Sequence, residues 1–283
     1  MKNLIIQSLC LLLILTFCGN KAKNNELSEN GTTEIIPSDY KALYLKYKEP
    51  INGYNVKVTF IFNRGSRYLT IGDYLVGTGH IQFEKGKNRF DICHPVFFLD
   101  TSFYNLDTLL HNAYNMFQDD EFFIEEYPYM IDYDNNNPPF FFQDVNFDGH
   151  KDLLLTCNWQ SHQRDAAAYM VYLYCENNCE DDIPYQQTEK EPFNFGIFDE
   201  YTRFDYKKKE IILHSTGSAY SWTDEYYKRK GYDEFELYKM ITLSREWDEE
   251  FNYLVTREYK AHKSGDTIQK VQIAEKKEII TDL

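Results

Sequence analysis

Basic residues are scarce in this 283-residue chain: 30 lysines and arginines stand against 45 aspartates and glutamates, a formal net charge of −15. A surface with that deficit repels nucleic acid and anionic lipid headgroups and favours basic partners, so no nucleic-acid role is expected. The same charge keeps an exported protein soluble. Its acidic runs, at Asp119 to Glu121, Glu125 to Glu126, Glu180 to Asp182 and Asp248 to Glu250, read as solvated turns. Several chemical signatures are also missing. The single CxxxC, Cys175 to Cys179, has no paired HxxxH to complete a zinc site. No G-x-S-x-G elbow occurs, and His214-Ser-Thr-Gly217-Ser218 reads as a strand running into a turn rather than a nucleophile with its base. No exact internal repeat emerges, which argues against a propeller built from several identical metal loops.

Long apolar runs are confined to the N-terminus. Residues 1–17 carry one charge, Lys2, followed by the apolar stretch Leu9 to Phe17, which is too short to span a membrane and has the form of a secretory signal. Leu15-Thr-Phe-Cys18-Gly19 resembles the bacterial lipobox, in which cleavage before a cysteine is followed by its diacylation; Phe17 departs from the small residue usual there. The organisation expected is therefore a lipoprotein-type signal over 1–17, lipidation at Cys18, a flexible polar tether over 18–39, and one β-rich domain over 40–283. This places the protein at the cell envelope, periplasmic or outer-surface, touching membrane through its lipid anchor only.

With Cys10 in the signal and Cys18 the lipid carrier, four cysteines remain: Cys93, Cys157, Cys175 and Cys179. An even count in an exported protein allows two disulfides in three connectivities. Cys175-Glu-Asn-Asn-Cys179 fits a small closed loop and would leave Cys93 to meet Cys157.

Strand signals dominate what is present. Val56, Val58, Phe60 and Phe62 alternate with polar residues; Ile81 and Phe83 answer Phe90 and Ile92 across a Gly86 turn; Phe204 to Leu213 reads as a hairpin with lysines at its tip. Gly217, Gly231 and Gly265 punctuate later strands. Short strands at this spacing predict a mostly β, antiparallel architecture: sandwich, barrel or propeller-like. One segment differs, because Phe103, Leu106, Leu110, Ala113 and Phe117 fall at helical spacing, predicting one short helix near 102–117.

The densest chemistry lies in Asp144-Val-Asn146-Phe-Asp148-Gly149-His150-Lys-Asp152. A hard cation such as Ca²⁺ takes six to eight oxygen ligands, and side chains at the first, third and fifth positions of a loop supply three of them. Gly149 permits the sharp turn, after which the His150 carbonyl and the Asp152 carboxylate can close the ring. The glutamate of a full EF-hand loop is replaced by Leu155, and the flanks Pro138 to Gln143 and Leu153 to Trp159 have strand rather than helix composition. The expectation is a strand–turn–strand calcium site, structural in role, with Asp144, Asn146, Asp148, His150 and Asp152 as its residues. Just beyond it, Trp159, His162 and Arg164 are residue types that anchor interfaces and form a candidate partner-binding loop.

The aspartate loop running into Leu153, then Phe204-Asp205, Gly217-Ser-Ala-Tyr220-Ser-Trp222 and Leu243-Ser-Arg-Glu246 in that order, resembles a family of exported calcium-binding bacterial proteins. It is typified by the xanthomonad periplasmic immunity protein that inhibits a peptidoglycan hydrolase delivered by type IV secretion. The resemblance covers roughly residues 138–275 and implies a β-propeller-like fold, one calcium ion and a non-catalytic binding role. It also implies an envelope protein partner such as a basic lysozyme-like hydrolase. Two other readings stay open: a carbohydrate-binding surface lipoprotein, since exposed aromatics stack on sugars, and a glycosidase-like hydrolase built on some pair of its many carboxylates.

Overall fold

The computed structural model describes residues 40–63, 70–71, 74–100, 121–127, 138–157, 168–175, 183–195, 197–218, 220–247, 251–265 and 267–280. The signal, Cys18, the tether, the helix expected near 102–117, Cys179 and the loop bearing Trp159, His162 and Arg164 lie outside these residues. Among the described residues every regular element is a strand, as the alternating pattern predicts, and no closed barrel forms. Within the stretch that the sequence presents as one domain, the chain divides into two compact units. One runs to Pro139 and takes in the segment ending at Ile183; the other comprises Phe140–Asn178 and Pro184–Leu283.

The first unit is a six-stranded sheet of β1 (Tyr40–Tyr47), β2 (Asn55–Asn63), β3 (Thr70–Ile71), β4 (Tyr74–Lys85), β5 (Asn88–Asp100) and β6 (Glu121–Tyr127). Val56, Val58 and Phe60 of β2 are buried while Lys57 between them is exposed, so the period-two pattern is the burial pattern. The β4–β5 hairpin pairs Phe83 with Phe90 and Ile81 with Ile92, the two phenyl rings stacking at 4.8 Å. β1 pairs antiparallel with β2 and parallel with β6.

The second unit holds the aspartate loop. A four-stranded sheet of β7 (Phe140–Gln143), β8 (Asp152–Cys157), β9 (Ala168–Tyr174) and β10 (Tyr185–Thr188) runs in the order β10-β9-β8-β7. A six-stranded antiparallel meander follows: β11 (Arg203–Asp205), β12 (Glu210–Ser218), β13 (Ser221–Arg229), β14 (Phe235–Trp247), β15 (Asn252–Ser264) and β16 (Thr267–Ile279). Leu154, Val171 and Leu173 of the smaller sheet share one core with Ile211, Leu213 and Leu237 of the larger. This is an irregular sandwich, the form among the expected alternatives that the structure adopts. β8 is buried at every residue, which explains why Leu153, Leu154 and Leu155 follow one another without alternation. The final strand is almost wholly exposed and forms a long charged edge.

Cys157 ends β8 as a buried free thiol. Burial in the sheet centre pushes its thiol up to about 12. Cys179, the partner expected for Cys175, lies outside the described residues.

Candidate metal centre

The nine-residue bend joins β7 to β8, and its alternation decides its shape. Val145 and Phe147 turn into the sandwich core, 0% and 5% exposed, which leaves Asp144, Asn146 and Asp148 on the opposite side of the backbone. Two residues carry the turn with left-handed backbone: Phe147 at φ 60 and Gly149 at φ 93. Glycine takes such a conformation freely; phenylalanine does so only under constraint, and the constraint here is core packing against Phe204, Tyr206 and Phe235.

The polar side chains converge on the loop's own amides. Asp148 N donates to Asp144 Oδ1 and Asn146 Oδ1, both at 3.1 Å. Gly149 N donates to Asp144 Oδ2 at 3.0 Å, and His150 N to Asp148 Oδ1 at 2.8 Å. Three oxygen-bearing side chains at alternate positions are thereby gathered around one bend. The His150 ring stacks on Tyr174 at 4.8 Å.

Asp152 is fully buried and faces a different set of partners. Its Oδ2 accepts from Val145 N at 2.9 Å, closing the bend, and its Oδ1 accepts from Tyr174 N at 2.8 Å, tying the bend to β9. Burial pushes this carboxyl up to about 7, helped by the nearby charges of Asp148 and Asp144 and opposed by the two amide bonds. A buried acid beside two further carboxylates is costly, and a cation among them would lower that cost.

Among the described residues no three His, Cys, Asp or Glu side chains form a metal cluster. The donor set of the bend is of another kind: aspartate carboxylates, the Asn146 amide oxygen and backbone carbonyls. An all-oxygen set of this type suits a hard cation and not zinc or copper.

The sequence gives no local sign of the residues that brace the bend from outside. Asn146 Nδ2 donates to Asp148 Oδ2 at 3.0 Å and to the Tyr232 carbonyl at 3.2 Å. Arg229 Nη1 donates to the Phe147 carbonyl at 2.8 Å and its Nε to the Gly231 carbonyl at 2.9 Å. These partners lie over 80 residues downstream, where only the folded chain shows them.

His214 Nδ1 bonds Asp224 Oδ1 at 2.7 Å, and Arg203 Nη2 bonds Asp224 Oδ2 at 2.5 Å. The serines nearby have other partners: Ser215 Oγ donates to the Thr223 carbonyl, and Ser218 Oγ accepts from Tyr220 N. The segment is strand β12, as its sequence suggests.

No known family profile matches the chain, and no curated protein matches it. Among solved structures, the chain is similar to a Xanthomonas type IV secretion system related protein. That likeness covers 88% of this chain and 97% of the other, at 13% identity and a TM-score of 0.49.

Proposed function

We propose that the protein is an exported, lipid-anchored scaffold that does no chemistry itself, takes one calcium ion in the Asp144–Asp152 bend, and binds another macromolecule at the cell envelope. The observation that supports it is the bend itself. Asp144 and Asn146 each turn an oxygen onto the Asp148 amide, Asp148 turns its own onto the His150 amide, and Phe147 is packed in the core, so much of the cost of ordering the three polar side chains is met by folding. With the ion bound, these three would hold it, the His150 carbonyl and Asp152 completing the set through lone pairs their present bonds leave over. Calcium would supply charge neutralisation and rigidity.

The acidic balance favours a basic protein partner, since complementary potentials speed encounter. Together with the family resemblance of the aspartate loop, this makes a lysozyme-like peptidoglycan hydrolase the partner of choice and inhibition the effect. Mixing the protein with such enzymes in calcium should give a complex by size exclusion and a loss of peptidoglycan cleavage. The absence of both a complex and a loss of cleavage would remove the inhibitor reading. A pull-down from native envelopes, with and without chelator, then identifies the partner.

A further inference from the structure

The far wall of the bend belongs to another hairpin. Asn146 is fully buried, and its amide nitrogen faces the Tyr232 carbonyl at 3.2 Å. An amide held by its nitrogen must present its oxygen the other way, and Asn146 Oδ1 does point into the bend, accepting from Asp148 N. An aspartate at 146 would instead set a carboxylate oxygen against that carbonyl. The position therefore calls for an amide, and Tyr232 orients it.

Arg229 provides a second strut. Its planar guanidinium spans the Phe147 carbonyl of the bend and the Gly231 carbonyl of the β13–β14 turn. That turn is closed by the amides of Lys230 and Gly231, both donating to the Glu234 carbonyl at 2.8 and 3.1 Å. The Tyr232 hydroxyl bonds the Tyr174 carbonyl, and the Tyr174 amide bonds Asp152 Oδ1, so the circuit returns to the bend. The same turn walls a groove of about 390 Å³ lined by Lys190, Lys230, Asp233 and Glu234, across which Lys190 pairs with Asp233 at 2.6 Å.

Resting on the calcium reading of the bend, we propose that Arg229 and the Lys230–Glu234 turn couple the ion to this groove: a cation fixes Asn146 and Phe147, these fix the turn, and the turn sets the groove's shape. Arg229 is then a positioning residue for the ion, and the groove is the surface whose form depends on calcium. Hydrogen-bonded partners just outside a metal's ligands commonly change affinity by about 10- to 100-fold when removed.

The test combines calcium titration by calorimetry with amide hydrogen exchange on the intact protein. In the parent, calcium should slow exchange at Lys230 and Gly231 while leaving the β15 amides unchanged. Arg229→Gln should weaken calcium by about tenfold and abolish that slowing, and Arg229→Lys, which keeps one donor, should recover part of both. A purely structural Arg229 would lower the melting temperature in chelator and leave calcium affinity untouched. That result, or calcium binding to the parent with no change at the turn, overturns the coupling while leaving the calcium site standing. Absence of calcium uptake by the parent overturns both.

Discussion

Phe147 and Arg229 lie 82 residues apart in sequence and are joined by a 2.8 Å hydrogen bond from the guanidinium to the Phe147 carbonyl. Phe147 meets three demands together. Its backbone is left-handed, its ring is buried among Phe204, Tyr206 and Phe235, and its carbonyl is held by Arg229. The packing energy of the ring offsets the backbone strain. The bend proposed to take a cation is thus built on the hydrophobic core of the second unit.

Phe147→Ala should therefore damage both stability and metal binding. Removing a buried phenylalanine costs about 3–5 kcal/mol, and the left-handed backbone then loses its anchor. Urea denaturation in chelator measures the first effect and calcium titration the second. A variant that loses stability and keeps parental calcium affinity would show that the core does not shape the bend.

Asp148→Ala separates the metal from the fold. Asp148 is half-buried, and its carboxylate caps the His150 amide. The variant should lose calcium uptake and the calcium-dependent gain in melting temperature. A ligand that binds only the native state stabilises it by about 2.7 kcal/mol at a hundred times its dissociation constant. Scanning calorimetry of parent and variant, each in calcium and in chelator, gives the comparison.

Asp152 makes the metal-free protein sensitive to pH. Its folded carboxyl is raised to about 7 by burial, against about 3.9 in an unfolded chain. Between those values the native state keeps a proton that the unfolded state has released, so stability in chelator should fall as pH rises from about 4 to about 7 and level off above. Asp152→Asn should remove most of that slope. It should also cost about 1–3 kcal/mol, because an amide nitrogen now faces the N–H of either Val145 or Tyr174. Denaturant midpoints across that pH range, in chelator, check both.

Cys157 offers a chemical check on the sheet. As a thiol pushed up to about 12 in the fully buried strand β8, it should resist alkylation in the native protein at pH 8 and react once the chain is unfolded in urea. Intact-mass analysis after iodoacetamide treatment, with the modified site mapped by peptide, reads this directly. Rapid native labelling at Cys157 would mean that β8 opens readily.

Much of the fold is legible where one face of a strand is buried. Val56, Val58 and Phe60 announce β2, and Phe204 with Ile211 marks the β11–β12 hairpin, since burial imposes a period of two. The bend at Asp144, Asn146, Asp148 and Gly149 is legible for a similar reason, since short polar side chains and a left-handed glycine make a tight turn at fixed spacing along the chain. Contacts set by tertiary packing are not written locally. Nothing near residue 146 points to Tyr232 or Arg229, and nothing near Asp152 says that one of its oxygens will meet the Tyr174 amide on β9. The parallel pairing of β1 with β6 and the division of the chain at Pro139 depend on long-range packing of the same kind.

Direct calorimetric titration of calcium into the chelator-stripped, intact protein tests the central claim most plainly. One ion should bind per chain, and the stoichiometry should fall to zero in Asp148→Ala. A parent protein that takes up no calcium, and melts at the same temperature with the ion as with chelator, would contradict it.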